Sequence, residues 1–270
     1  MYQACGRDYR LNMTMALTRG SGSAGRVGRV KASAVPRKSA RSGPFSLQLL
    51  EEFQLTSHAG VPIPLPATAE RVLAFLALHE HPVRRCVVAG SLWPDSSEAR
   101  SNGSLRSALW RLGGAADGVV EVNGALLKLA SSVAVDAREL VAMARRLRDG
   151  RLPAVPASAI WRLEQELLPD WHDDWIIVNR EHWRQVRLHA LESMAEILRG
   201  QGDCSAAAEA GLAAVRADPL RETAHRTLIE TYLVEGNRSE ALRQYHVYQV
   251  ILHAELGLEP SSSLAALVGC

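Results

Sequence analysis

The chain is poor in several things, and each shortage excludes a class of protein. Aromatic residues make up 5% of 270 positions, and only 4 positions are cysteine. Cys5, Cys86, Cys204 and Cys270 lie far apart and form no C-x-x-C pair. Neither a disulfide framework nor a cysteine zinc site is expected, and a reducing cytoplasm is. No run of about 18 apolar residues occurs, so no membrane span is expected. The first residues lack an apolar core followed by a small-residue cleavage site, so no secretory signal is expected either. The signatures G-x-S-x-G, H-E-x-x-H and G-x-x-x-x-G-K-[ST] are missing, and Gly113-Gly114 is followed by no strand-to-helix phosphate cradle. No catalytic residue, cofactor or metal is expected, and the chain does not read as an enzyme.

What is present is globular. Hydrophobic residues reach 47% and charged residues 22%, enough for one large domain or two of ordinary size. Abundant Ala and Leu favour helices over a β-sandwich. The net charge of +2 conceals an asymmetry. Residues 1–44 hold nine Lys/Arg against one acid, residues 45–130 seven against eight, and the remainder fifteen against twenty. The basic first segment, containing SGSAGRVGRVKASAVPRKSARSG, has no apolar period and is expected to be a disordered arm. Its charge suits a polyanionic partner and equally suits an idle tail.

From Phe45 the texture changes. FSLQLL, EFQLT and VPIPL read as short strands of a small antiparallel sheet. Ala67–Glu80 places Val72, Leu73, Leu76 and Ala77 at helical spacing behind Pro66. Arg84–Trp93 reads as a second short helix stopped by Pro94. A third helix is expected over Glu98–Leu112. Leu105, Ala108, Leu109 and Leu112 form its apolar stripe, and Arg100, Ser104, Ser107, Trp110 and Arg111 its front, with Arg106 at the edge. Gly103 inside this helix costs about 1 kcal/mol relative to Ala, and Gly113-Gly114 is expected to cut it short. VVEV and ALLKLA then flank Asn123-Gly124, a strong two-residue hairpin signal. Strands, three helices and a terminal hairpin are the order of a winged helix, whose third helix enters a major groove and whose hairpin is the wing.

On VLAFLALHEHPVRR, on LWPD at Leu92–Asp95 and on SLRSALWRL at Ser104–Leu112, residues 45–130 resemble the OmpR-type winged-helix domain of the antibiotic-regulatory-protein (SARP) activators. VAVDAREL at Val133–Leu140 is expected to begin a new helical region, and Arg148–Ser158 reads as a Pro-rich loop between helices. LLPDWHDDWIIVNREHWRQVRLHALE, Leu167–Glu192, resembles the signature of the bacterial transcriptional activator domain. So does LGLEPSSSL at Leu256–Leu264. His172, Asp173 and Asp174 sit between two tryptophans, yet consecutive polar residues before a helix read as a turn and cap rather than a metal site.

An internal repeat follows. Ala190 pairs with Ala224, Met194 with Leu228, Leu198 with Tyr232, Gly202 with Gly236, and Ala207-Ala208 with Ala241-Leu242, each 34 residues on, the tetratricopeptide length. His189, His225, His246 and His253 within it are expected to serve packing or the surface rather than to bind a ligand. The expected fold is therefore mainly α: a disordered basic arm over 1–44, a winged-helix domain over 45–130, and a tetratricopeptide-like activator domain over 133–270.

The resemblance implies a cytoplasmic, nucleoid-associated transcriptional activator that binds direct repeats in double-stranded DNA. It also implies contact with RNA polymerase through the repeats, with a second protomer as a further candidate partner. The residues expected at DNA are Arg100, Arg106 and Arg111 on phosphates or guanine edges, and Ser104, Ser107 and Trp110 beside them. Lys128 on the wing would touch backbone, with Asn123 at the wing's tip. The alternative is a protein-interaction scaffold with a degenerate winged helix, because a segment of charge −1 lacks the basic face that supplies most non-specific affinity.

Overall fold

The computed structural model describes residues 45–151 and 158–269. The basic arm expected over 1–44 and most of the Pro-rich interruption lie outside the described residues. All described residues belong to one compact unit.

Two short strands open it, β1 (Phe45–Gln48) and β2 (Gln54–Ser57), antiparallel with Leu47 opposite Leu55. VPIPL, expected as a third strand, contributes a single bridge between Thr56 and Pro62, because proline has no N–H to offer a ladder. Three helices follow: α1 (Ala67–Ala77), α2 (Arg85–Leu92) after the two-residue strand β3 (Val83–Arg84), and α3 (Glu98–Ala115). Helix α1 is central, with Val72, Leu73, Ala74, Phe75, Leu76 and Ala77 all buried. It ends three residues short of the expected Glu80. Its last carbonyls are taken by Arg138, which donates to Ala77 O at 2.7 Å, Leu76 O at 3.1 Å and His79 O at 2.6 Å. A cation is favourable at a helix C-terminus.

The wing is the hairpin β4 (Val120–Asn123) and β5 (Leu126–Leu129), with β3 on the other side of β5. Asn123 pairs with Leu126, so the turn residues are Gly124 and Ala125, one place beyond the expected Asn123-Gly124. Gly124 alone takes a left-handed φ of 56°; a positive φ at the first turn position suits glycine and leaves Asn123 in the strand. VAVDAREL also differs from expectation. Val133–Val135 is a strand, β6, parallel to β1 with Phe45 opposite Val133, and helix begins only at Asp136. Val133 and Val135 are buried on either side of half-buried Ala134, a two-residue alternation that reads as strand.

The rest is helical: α4 (Asp136–Arg148), α5 (Ser158–Glu164), α6 (Asp174–Gly200), α7 (Cys204–Ala217), α8 (Glu222–Val234), α9 (Arg238–Leu256) and α10 (Ser262–Val268). The 34-residue repeat is carried down to backbone detail. Gly202 and Gly236 both take φ 83°, and the side chains of Asp203 and Asn237 behind them both accept a backbone N–H three residues on. These are a glycine helix stop and an N-cap in each repeat. Ala190, Ala224, Ala207 and Ala241 are fully buried or nearly so, so small residues let neighbouring helices approach. Helix α10, for which the sequence suggested no element, covers the far end. There Leu264 and Val268 join Ile229, Tyr245, Tyr248 and Leu252 in a separate apolar cluster.

The LLPDWHDDW segment is a joint. Leu168 donates to Leu49 O at 2.9 Å, Glu51 donates to Glu166 O at 2.8 Å, and Leu50 bridges Leu167. Trp171 stacks on Phe53 with ring centroids 5.9 Å apart, and Trp175 meets Phe75 edge-on at 5.3 Å. Asp173, expected in a turn and cap, is the N-cap residue of α6 without a side-chain cap bond, and its carboxylate pairs with Arg71 of α1. From α4, the Asp136 carboxylate accepts from Leu49 N at 2.9 Å and Leu50 N at 3.1 Å. Burial pushes this carboxyl up from its ordinary range, and three backbone N–H bonds pull it back.

Candidate nucleic-acid interface

Helix α3 is anchored by its back. Leu105, Ala108 and Leu112 are buried at 1%, 0% and 3% exposure, and Leu109 packs against the same core. Ser101 is buried as well, its hydroxyl donating to Glu98 O at 3.1 Å. The helix runs to Ala115, through Gly113-Gly114 rather than stopping at Leu112. Helical glycine costs conformational entropy but removes no hydrogen bond. Here the turn continues into Ala116, whose N–H reaches Leu112 O at 3.0 Å and whose methyl is buried.

The front is set by what that back leaves outside. Arg100, Ser104, Ser107 and Arg111 follow one line along the helix at steps of three and four, and Arg106 and Trp110 form the adjoining line. Arg100, Arg106, Ser107 and Arg111 are exposed, and Ser104 is half-buried. Trp110 is 82% exposed, the highest value among the exposed large apolar side chains. On the wing, Asn123 is exposed and Lys128 half-buried, directly across the ladder from Glu121. The Glu121 carboxylate accepts from Ser131 N at 3.4 Å, so the wing lysine faces a carboxylate. That weakens the positive potential at this edge.

Among the described residues, none of Arg100, Arg106, Arg111 and Lys128 enters a salt bridge or a side-chain hydrogen bond within the protein. Guanidinium groups that are exposed and uncommitted can donate to phosphate or carboxylate oxygens. Within 45–130, Glu80 is paired with Arg145 at 3.1 Å and Arg71 with Asp173, both partners from beyond that window, so the count of −1 over it stands. The four histidines singled out in the repeats are structural or superficial. His225 is fully buried, bonded to Pro219 O at 2.9 Å and to Gln244 at 2.8 Å, while His189, His246 and His253 are exposed.

Sequence reading missed the joint's polar partners, Arg71, Asp136, Arg138 and Arg180. Arg180 donates to Leu167 O at 2.9 Å, to Leu168 O and to Trp171 O at 2.6 Å. The paired tryptophans were the only local signal; the partners lie up to 102 residues away.

No helix of the described residues is long and apolar enough to cross a membrane. No curated protein matches the chain significantly. A solved structure, Mycobacterium tuberculosis EmbR in complex with a low affinity phosphopeptide, is similar at TM-score 0.66 and 23% identity, over 84% of this chain and 64% of that one. The chain thus spans less than two thirds of that relative's length, and at this identity the likeness establishes the fold: a winged helix followed by tetratricopeptide-like repeats. The bacterial transcriptional activator domain matches residues 134–269, half of the chain. The chain therefore belongs to the bacterial transcriptional activator domain family.

Proposed function

We propose that the protein is a DNA-binding activator that reads direct repeats at promoters, with residues 45–130 as reading head and 133–270 as activator domain. Helix α3 lies in the major groove. Arg100, Arg106 and Arg111 contact phosphates or guanine edges, Ser104 and Ser107 make shorter polar contacts, and Trp110 supplies an apolar surface beside them. Lys128 touches backbone, and Asn123 reaches toward the minor groove. The repeats engage RNA polymerase or a second protomer, in the bacterial cytoplasm at the nucleoid. The observation that carries this reading is the uncommitted state of the three α3 arginines among described residues where most other arginines are held by a carboxylate.

The test is a footprint of the full chain on the DNA upstream of its own gene, repeated with a variant lacking residues 1–44. Protection of two equally spaced, same-orientation half-sites is expected. Absence of any protected sequence, with the chain folded and DNA in excess, would leave the scaffold reading in its place.

A further inference from the structure

Beside the joint, a cleft of about 340 Å³ opens between α6 and the segment around Glu166, lined by both charged and apolar groups. We propose that it binds a small aliphatic monocarboxylate, its head on Arg187 and its chain along Ile177 and Trp183.

Arg187 is the buried cation of this cleft. Its side chain is only 8% exposed, although a guanidinium carries five N–H donors and a full charge. Its partners are poor: Glu164 O at 3.2 Å and Gln165 O at 3.4 Å, both neutral, and a Glu166 oxygen 3.8 Å away on a side chain that is 67% exposed. Its Nε has no hydrogen-bond partner among the described residues. Burial accordingly pushes this arginine below its ordinary range. A buried cation without a close counter-ion is costly, and an anion delivered into the cleft would relieve that cost.

The other charges select the ligand's valence. Arg184 is held by both Glu181 oxygens at 2.8 and 2.9 Å and also by Asp218, and Arg180 is spent on three carbonyls. One positive group is left, which matches one negative charge. The walls select the body. Leu167 and Trp183 line the cleft as buried core side chains, 2% and 4% exposed, Trp183 with its indole N–H on Gln165 O at 2.9 Å, and Ile177, 59% exposed, supplies the accessible apolar surface at the lip. A volume of this size is at the small end of ligand sites. A multiply charged anion would face Glu166 and Glu181 in the same lining with Arg187 alone to balance it.

The place matters as well. Leu167 and Leu168 are bonded to Leu50 and Leu49 of the winged helix, so an occupant touches the segment joining reading head and repeats.

The probe is sodium octanoate, titrated into the full chain by calorimetry, with octan-1-ol and inorganic phosphate titrated alongside. Octanoate is expected to bind about tenfold more tightly than either, the worth of one charge-assisted bond. Glu166→Gln removes the competing carboxylate and should tighten octanoate several-fold; Ile177→Asp puts a like charge at the lip and should weaken it about tenfold. Both positions are largely exposed, so both variants are expected to fold. Equal affinity for octanol, no octanoate heat at millimolar concentration, or indifference to both substitutions would each overturn the site.

Discussion

Among the described residues, Arg106 and Arg111 on α3 reach solvent without a partner, whereas Arg184, Arg216, Arg221 and Arg226 in the repeats are each held by a carboxylate. The two groups share one side-chain chemistry and differ in what the fold provides beside them. In the repeats, consecutive helices bring acidic and basic residues from different elements together, as Arg221 meets Glu192 across 29 positions. On α3 the apolar back faces the core, and the arginines of the front meet no carboxylate among the described residues. Arginines of the first kind hold the molecule together; those of the second are free to hold something else.

The largest effect expected from breaking this contrast is on the paired side. Glu192 is 8% exposed and accepts from Arg221 Nε at 2.8 Å and Nη2 at 3.1 Å, and from Thr223 at 2.6 Å. Arg221→Ala strands that carboxylate and should lower unfolding free energy by about 3 kcal/mol, read by denaturant titration, with no change in DNA affinity of the folded protein. Arg106→Ala should not move stability measurably, since it removes no internal contact.

Next in size is the packing between repeats. A Cβ on Gly211 would lie 3.2 Å from Leu228 Cβ and 3.3 Å from its Cα. Gly211→Val should therefore cost about 2 kcal/mol. Gly103 and Gly113 of α3 offer the reverse, because a Cβ there meets nothing within 4 Å. Gly103→Ala and Gly113→Ala should each stabilise by up to about 1 kcal/mol through helix propensity, seen as a higher Tm, with DNA affinity kept or raised.

The smallest effect is a pH dependence. Burial lowers the pKa of His225 from its ordinary 6.5, so the unfolded chain takes up a proton that the folded one refuses. Its contribution is fully present above the unfolded value and is lost as pH falls toward the folded one. Between about pH 7 and about pH 5.5 the Tm of the wild type should fall more steeply than that of His225→Gln.

Much of the fold was legible because it is local. The 34-residue spacing placed the repeats, and the stripe at Leu105, Ala108, Leu109 and Leu112 placed the back of α3. What was not legible depends on partners distant in sequence. The Val133–Val135 segment is a strand because β1 lies open to it. Helix α1 ends early because Arg138 arrives from 61 residues away to take Ala77 O. Asp173 was legible as a cap residue, but its pairing with Arg71, 102 positions away, was not. The front of α3 was readable as a pattern, but its lack of internal partners could be learned only from the folded chain. The Arg187 cleft left no sequence signal, since one arginine in an arginine-rich helix does not announce its burial.

The central claim is that the unpaired arginines of α3 are the DNA contacts. Its most direct measurement is the dependence of log affinity on log salt, for the wild type and for Arg106→Ala with Arg111→Ala, on the footprinted site. Two lost phosphate contacts should reduce the slope by about 2, at roughly 0.9 per contact, and weaken binding throughout, while Tm stays constant. An unchanged slope and affinity in the folded double variant would contradict the account.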